Sequence, residues 1–166
     1  AVQREEFALA VPMDRGGSLS SPASGESWPM QGFWPNLVAP STLPPGGVDL
    51  PLIWGGTGEW EELEGQEVEG RAVLMEFNSW NHWLRAASLG ARVVLFVAPE
   101  QATWAQGATK SIQIPLELPR FWVGREAGQA LRRQLAQGPV QVHLEASMSW
   151  EQRPAWNIWG LVPGRD

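Results

Sequence analysis

The stretch GRAVLMEFNSWNHWLRAASLGARVVLFVA, residues 70–98, decides the fold of this chain. Residues 72–77 form an almost unbroken apolar run, which is typical of a strand that is covered on both faces. Residues 93–97 predict a second strand of the same kind. A helix between two apolar strands predicts a right-handed βαβ crossover with the strands parallel. The unit contains no glycine-rich phosphate loop, nucleophile elbow or metal-ligand spacing, so it indicates a scaffold rather than a reaction centre.

The helix of this unit is predicted from its ends and its apolar face. Asn78 and Ser79 are suitable N-caps, and Gly90 ends the helix. Four apolar side chains fall on one face because they recur every three or four residues. They are Trp80, Trp83, Leu84 and Ala87. This spacing predicts that Trp80 and Trp83 belong to the core.

The first 47 residues are rich in proline, glycine and serine, and they predict a segment that is only partly ordered against the body of the domain. Residues 7–11 are predicted to form a short strand. Residues 15–27 nearly lack large apolar side chains and are predicted to form a mobile loop. Residues 50–54 predict a further strand, because an apolar run ends there at a glycine pair.

Residues 59–69 carry six glutamates in eleven positions. The simpler interpretation is a solvated turn that Leu63 and Val68 anchor to the body. A calcium site is the alternative, but the run lacks the ligand spacing of a recognised calcium loop. We therefore predict the solvated turn.

The second half of the chain predicts mainly strands. Residues 100–111 are expected to form a polar loop, and residues 112–118 a short or edge strand that Pro115 interrupts. Residues 124–137 form the clearest second helix, which Gly138 and Pro139 end. Residues 140–148 alternate strictly between apolar and polar side chains, and residues 156–162 predict a last strand. The fold class is therefore α+β, with a β-rich core, two short helices and one βαβ unit.

Composition narrows the function classes. A chain of 166 residues can form one domain with a real core, and the lack of cysteine excludes disulfides and thiolate zinc sites. The net charge of −6 argues against nucleic acid as a partner. No apolar run reaches the roughly 18 residues of a membrane span. The start at Ala1, without an initiator methionine, leads us to expect a processed or excised piece of a longer protein.

Several short motifs, in their order, resemble the protease-associated (PA) domain over about residues 48–150. The motifs are Gly-Arg-Ala-Val-Leu-Met at 70–75, Ala-Ala-Ser-Leu-Gly-Ala-Arg-Val-Val-Leu-Phe at 86–96, Ile-Pro-Leu at 114–116, and Gly128 with Leu131. The resemblance implies a swivelling β/β/α domain. The chain departs from the family's common pattern at residues 78–83, where many PA domains carry Arg-Gly-x-Cys-x-Phe.

The flanks resemble segments that border PA domains in secreted or membrane-attached zinc peptidases of the M28 type. These flanks are residues 34–37, 41–46 and 157–166. The resemblance divides the chain into an N-terminal segment (1–47), a PA-like domain (48–152) and an exit strand with a linker (153–166) that leads toward a catalytic domain. Zinc is then expected only in that absent catalytic domain, and no cofactor is expected in this chain.

The function that the resemblance implies is a non-catalytic accessory domain of a larger, extracytoplasmic M28-like zinc peptidase. Such a domain mediates protein interaction or substrate access. Its partners would be the catalytic domain of the same chain and a peptide or protein substrate. The parent would be a zinc aminopeptidase or carboxypeptidase, while this chain alone would not be an enzyme.

The residues themselves also argue against catalysis in this chain. A catalytic zinc needs three protein ligands, and the sequence has two histidines, His82 and His143, on separate elements. We expect both to be exposed, His82 on the polar face of the first helix. No serine lies in a G-x-S-x-G elbow. A solvated acidic run also gives no reason for the separated pKa values that acid–base catalysis requires.

The eleven tryptophans suggest where a ligand or partner would bind. Several lie near loops or strand ends, where they would cover the seam with a catalytic domain or else stack on sugar rings or grip a peptide. We favour the seam. The alternative is a stand-alone carbohydrate- or peptide-binding module. The candidate ligand or interface residues are Trp80, Asn81, His82, Trp104, Trp122 and Trp156.

Overall fold

In the part of the chain that the structure describes, seven strands close into a barrel that carries four short helices. The computed structural model describes residues 2–111 and 114–164. The strands are β1 (Val2–Ser21), β2 (Glu26–Gly32), β3 (Val48–Trp54), β4 (Ala72–Glu76), β5 (Val93–Val97), β6 (Arg120–Val123) and β7 (Val140–Gly160). The helices are α1 (Trp60–Leu63), α2 (Trp83–Ser88), α3 (Trp104–Lys110) and α4 (Arg125–Leu135). The β-rich α+β class predicted from the sequence is confirmed, and both predicted helices are present as α2 and α4.

The strand order around the barrel is β1-β2-β6-β5-β4-β3-β7. Strands β3, β4, β5 and β6 run parallel to one another, and the remaining pairs, including β3 with β7 and β2 with β6, are antiparallel. Strands β4 and β5 pair in register from Ala72 opposite Val93 to Glu76 opposite Val97. The predicted parallel βαβ unit is therefore confirmed, with α2 as its crossover helix.

Strands β4 and β5 separate two apolar clusters. Ala72 and Leu74 face a cluster shared with β1, β2, β7 and α4, whereas Val73 and Met75 face the cluster under α2. Because successive side chains of a strand point to opposite faces, a strand with both faces covered must be apolar throughout. This is why residues 72–75 read as an unbroken apolar run.

The predicted mobile loop at residues 15–27 is wrong. Residues 17–21 pair with β2 on one side, residues 17–20 pair with β7 on the other, and Leu19 is fully buried. A Cβ on Gly17 would lie 2.4 Å from the carbonyl oxygen of Glu145. The small residues there permit close approach of strands at a β-bulge between Asp14 and Gly17, so their composition indicates tight packing rather than disorder.

The N-terminal part of β1 and the C-terminal part of β7 extend beyond the barrel as a two-stranded ribbon. In this ribbon, Val2–Met13 pair with Ser149–Gly160 in an unbroken antiparallel register. The predicted strand at residues 7–11 is part of it. The strand predicted at 156–162 is confirmed for residues 156–160, but it is the end of β7, which continues from Val140 to Gly160, and not a separate strand. The division of the chain at residues 47 and 152 stays a prediction.

Two predictions between β5 and α4 are also wrong. The expected polar loop at 100–111 contains α3, which begins where the Thr103 hydroxyl accepts a hydrogen bond from the Gln106 N–H at 3.3 Å. Ile112 and Gln113 of the expected strand at 112–118 lie outside the described residues. Residues 114–118 form no strand, and β6 begins only at Arg120. Pro115 and Pro119 precede it, and a proline has no N–H to donate to a sheet.

Within residues 2–111 and 114–164, no helix has both the length and the hydropathy needed to cross a membrane.

The close contact of α4 with β5 gives a test of this packing. A Cβ on Gly128 would lie 2.3 Å from a methyl group of Val97, whereas a Cβ on Gly107 in α3 would meet no atom within 4 Å. We expect Gly128→Ala to lower the free energy of unfolding by about 1–3 kcal/mol through overpacking. The matched change Gly107→Ala should raise it by up to about 1 kcal/mol through helix propensity. Urea denaturation measures both, and equal effects of the two changes would contradict the close packing of α4 on β5.

Candidate functional site

The loops that follow the parallel strands form one edge of the barrel. Because β3, β4, β5 and β6 point the same way, their carboxyl ends lie together, and ligands of open parallel sheets commonly bind at such an edge. We call residues 55–59, 77–82 and 98–106 the carboxyl edge. Four of the predicted candidate residues lie in it, namely Trp80, Asn81, His82 and Trp104.

Hydrogen bonds join the segment after β4 to the segment around α3. The Asn78 side-chain amide donates to the Gln101 carbonyl (3.0 Å), the Trp80 N–H to Gln106 Oε1 (2.8 Å), and the Trp83 indole N–H to the Thr109 carbonyl (3.1 Å). The two segments therefore form a single surface. This surface carries two exposed indole rings, those of Trp80 and Trp104.

Trp80 is not part of the helix or of the core. Its backbone has a φ of 46°, in the left-handed region, and its side chain is 51% exposed. The helix begins only at Trp83, with His82 as N-cap, so the prediction that Trp80 is buried is wrong. Trp83 is fully buried, as predicted. The left-handed conformation of a bulky residue is costly and is maintained only where neighbouring groups hold it.

Lys110 supplies one of the groups that hold Trp80 in place. Its ammonium donates a hydrogen bond to the Trp80 carbonyl and lies 5.2 Å and 5.4 Å from the ring centroids of Phe77 and Phe96. The side chain is fully buried, and burial lowers its pKa from 10.5 to about 8. Sequence reasoning missed this residue. The only signal for it was that Lys110 is the single lysine of the chain.

A second buried cation lies beneath the same surface. Arg120 is 1% exposed, and its guanidinium lies 4.5 Å from the Trp83 ring centroid. It donates to the carbonyls of Lys110 and Trp34, the latter at 3.1 Å. Burial lowers its pKa to about 10, so it stays charged at neutral pH. Among the described residues no carboxylate is buried, so backbone carbonyls and aromatic rings compensate both charges.

The buried ammonium predicts an unusual dependence of stability on pH. Between pH 8 and 10 the folded protein binds fewer protons at Lys110 than the unfolded chain does, so the free energy of unfolding should rise, by about 2 kcal/mol. The sequence has no tyrosine, no cysteine and no other lysine, and Arg120, with a pKa of about 10, contributes only at the upper end of this range. In Lys110→Met most of the rise should therefore disappear. Urea denaturation at several pH values measures it, and equal slopes in both proteins would contradict the burial of a charged Lys110.

The two histidines serve structural contacts. His82 Nδ1 lies 3.1 Å from the Thr57 carbonyl oxygen and 3.4 Å from Glu59 Oε1. The Arg85 guanidinium in turn donates to Glu59, which lowers the pKa of that carboxyl. His82 is thus a half-buried N-cap residue, and the prediction that it is exposed on a helix face is wrong.

His143 is also half-buried, against the expectation that it is exposed. Its Nδ1 lies 2.9 Å from Asp49 and its Nε2 lies 3.3 Å from Glu145, and these two hydrogen bonds raise its pKa. The carboxylates occupy opposite ring nitrogens, so the three groups do not converge on one point. Within the two described ranges, no group of three acidic, histidine or cysteine side chains could hold a metal ion.

The remaining predicted residues lie apart from one another. Trp104 is the first residue of α3 and is 88% exposed. Trp122 is half-buried in β6 and packs edge-on against Phe77, with ring centroids 4.9 Å apart. Trp156 lies on the ribbon, where its indole N–H donates to Glu6 at 3.1 Å. The structure therefore separates the six candidate residues into an edge group, an inner residue and a ribbon residue.

Comparison with known proteins gives similarity in structure but not in sequence. No protein-family model matches the chain, and no curated protein matches it. Solved structures do match. An aminopeptidase from Aneurinibacillus sp. strain AM-1 aligns with a TM-score of 0.61 and 15% identity, over 95% of this chain and 37% of its own. BSAP, a zinc aminopeptidase from Bacillus subtilis, aligns with a TM-score of 0.62 and 18% identity, over 95% and 36%.

A third match is a Peptidase M28 precursor from Shewanella amazonensis SB2B, with a TM-score of 0.58 and 12% identity, over 95% of this chain and 40% of its own. The chain shares its fold with a part of these proteins. It spans well under half the length of each of them, and identities this low show the fold alone. The shared fold is consistent with the resemblance to a PA domain, which no family model confirms.

Proposed function

We propose that this chain is a non-catalytic accessory domain of a larger zinc peptidase of the M28 type, located outside the cytoplasm. In this proposal, the zinc belongs to a separate catalytic domain, and the present domain shapes substrate access beside it. The observation that carries the proposal is the extent of the structural match. Nearly the whole chain, 95%, aligns with aminopeptidases of which it covers only 36–37%.

The ribbon supports the proposal because it exposes apolar side chains on both faces. Residues that are paired across two strands share a face, and neighbours along a strand alternate. One face carries Phe7, Leu9 and Trp159, and the other carries Val2, Trp156 and Ile158. All six are substantially exposed. Contiguous exposed apolar surface marks an interaction site, and we assign it to the catalytic domain.

The polar groups with catalytic potential support the proposal in a second way. His82, Glu59 and Arg85 form contacts that hold the loops after β3 and β4. His143 of β7 contacts Asp49 of the neighbouring strand β3. Their side chains are engaged in the fold instead of converging on an open space where a substrate could react.

The first test is enzymatic. We expect the chain, with added zinc, to hydrolyse no aminoacyl or carboxy-terminal peptide substrate. Peptidase activity that a chelator removes and zinc restores would overturn the proposal. Reading the gene on both sides of this segment tests the same proposal. A histidine-bearing strand, an aspartate and further acidic ligands are expected in the same reading frame.

The second test concerns the ribbon. Ile158 is 72% exposed, so Ile158→Ser should change the free energy of unfolding of the isolated chain by less than about 0.5 kcal/mol. In the longer protein, where we propose that the ribbon is covered, the same change should cost about 1–3 kcal/mol. Trp104→Ser, on an exposed residue away from the ribbon, is the matched control. Equal effects of Ile158→Ser in both proteins would contradict the assigned interface.

A second candidate function is a carbohydrate- or peptide-binding module, and the carboxyl edge favours it. The 88% exposed Trp104 and the left-handed Trp80 lie on one hydrogen-bonded surface, as a stacking platform would require. Tryptophan fluorescence against panels of glycans and peptides distinguishes the two functions. Saturable binding of one sugar class that Trp104→Ala abolishes would favour the module, whereas the accessory role predicts no such binding.

A further inference from the structure

The acidic run at residues 59–69 forms one wall of a surface cleft. The cleft has a volume of about 790 Å³ and lies between α1 with its following turn and the end of α2. This volume is in the range of small-ligand and peptide pockets. Leu63 and Val68 are buried at its base, as predicted, whereas Trp60 and Leu89 are 51% and 39% exposed at its sides. Its interior is therefore apolar.

Two of the six glutamates hold this cleft in shape. Glu62 accepts hydrogen bonds from the Thr57 N–H and hydroxyl, both at 2.8 Å, and from the Glu59 N–H at 3.1 Å, which closes a capping box at the start of α1. Glu59 binds Arg85. The Gln66 side chain donates to the Trp54 carbonyl at 3.0 Å and ties the following turn to β3. The simple solvated turn predicted from the sequence is thus a short helix with an anchored turn.

The other four glutamates line the cleft. They are Glu61, Glu64, Glu67 and Glu69. Glu67 pairs with Arg71, whereas the other three form no ion pair with any described residue. None of the arginine, lysine and histidine residues that the structure describes lines the cleft. The rim is therefore negative around an apolar base, and a negative rim favours a cationic partner.

We propose that this cleft binds peptide segments in which arginine or lysine alternates with large apolar residues. The apolar side chains would pack against Trp60, Leu89 and the base of the cleft, and the cationic ones would reach Glu61, Glu64 and Glu69. An extended peptide suits this arrangement because its side chains alternate between two faces. The inference goes beyond the proposed accessory role and does not depend on it.

The test uses the whole chain and a fluorescein-labelled, amidated peptide Leu-Arg-Leu-Arg, with binding measured by anisotropy. We expect saturable binding that weakens as the salt concentration rises from about 0.05 to 0.5 M. Over this range the Debye length falls from about 13 to about 4 Å, so salt screens the attraction between the charges. The peptides Leu-Glu-Leu-Glu and Gly-Arg-Gly-Arg should bind at least tenfold more weakly. Equal binding of either control peptide would overturn the proposal, since it needs both the charge and the apolar side chains.

Two variants of equal net charge locate the binding site. The triple change Glu61→Gln, Glu64→Gln and Glu69→Gln should weaken binding at least tenfold. The matched triple change Glu5→Gln, Glu117→Gln and Glu126→Gln, on exposed glutamates outside the cleft, should leave it within twofold. Equal weakening by both sets would show attraction to net charge and overturn the proposal.

A variant of the apolar wall keeps the test independent of the charges. Leu89→Ser removes an exposed apolar side chain just after α2, and it should weaken binding at least fivefold while the thermal unfolding midpoint stays close to that of the unaltered chain. Unchanged affinity in this variant would overturn the proposal. So would the lack of saturable binding of Leu-Arg-Leu-Arg up to 1 mM, a concentration that corresponds to a binding free energy of about −4 kcal/mol.

Discussion

Strands β4 and β5 run through the middle of the protein with apolar side chains packed against both of their faces. One face contributes Leu74 and Leu95 to the cluster inside the barrel, and the other contributes Met75 and Phe96 to the cluster under α2. Because the two clusters lie on opposite faces of these strands, α2 must cover one cluster and α4 must pack against the other. The parallel direction then brings the loops after β3, β4 and β5 to one edge. Two-sided burial therefore determines where the carboxyl edge lies.

The carboxyl edge depends in turn on charges that are buried beneath it. The Lys110 ammonium donates to the carbonyl of Trp80, and the Arg120 guanidinium donates to the carbonyls of Lys110 and Trp34. Aromatic rings lie next to both cations. Burying a cation without a partner carboxylate costs free energy, because the charge loses its hydration. We expect such a cation where it holds backbone that lies outside helices and strands. Here that backbone includes the left-handed Trp80. The exposed indoles are thus presented by a stiff support and not by a loose loop.

The predictions from sequence succeed where a local pattern has one structural meaning. The apolar runs of β4 and β5, the helical face of α4 and the alternation that begins β7 fall into this class. They fail where a residue type has two meanings. Glycine and serine at residues 15–27 fit a mobile loop and also a tight β-bulge, and only the partner β7 distinguishes them. Trp80 fits a helical face, but its N–H donates to Gln106 and its carbonyl accepts from Lys110, and these bonds hold it outside the helix.

The sequence by itself determined the βαβ unit, the β-rich α+β class and the apolar anchors Leu63 and Val68, because each follows from the spacing of apolar side chains along a short segment. Only the tertiary structure decided the closure of the barrel through β1 and β7, the assembly of the carboxyl edge and the division of the acidic run into structural and cleft-lining glutamates. These features join residues that are distant in sequence or depend on which side chain finds a partner. No local pattern contains that information, since long-range pairing is set by the complete set of contacts.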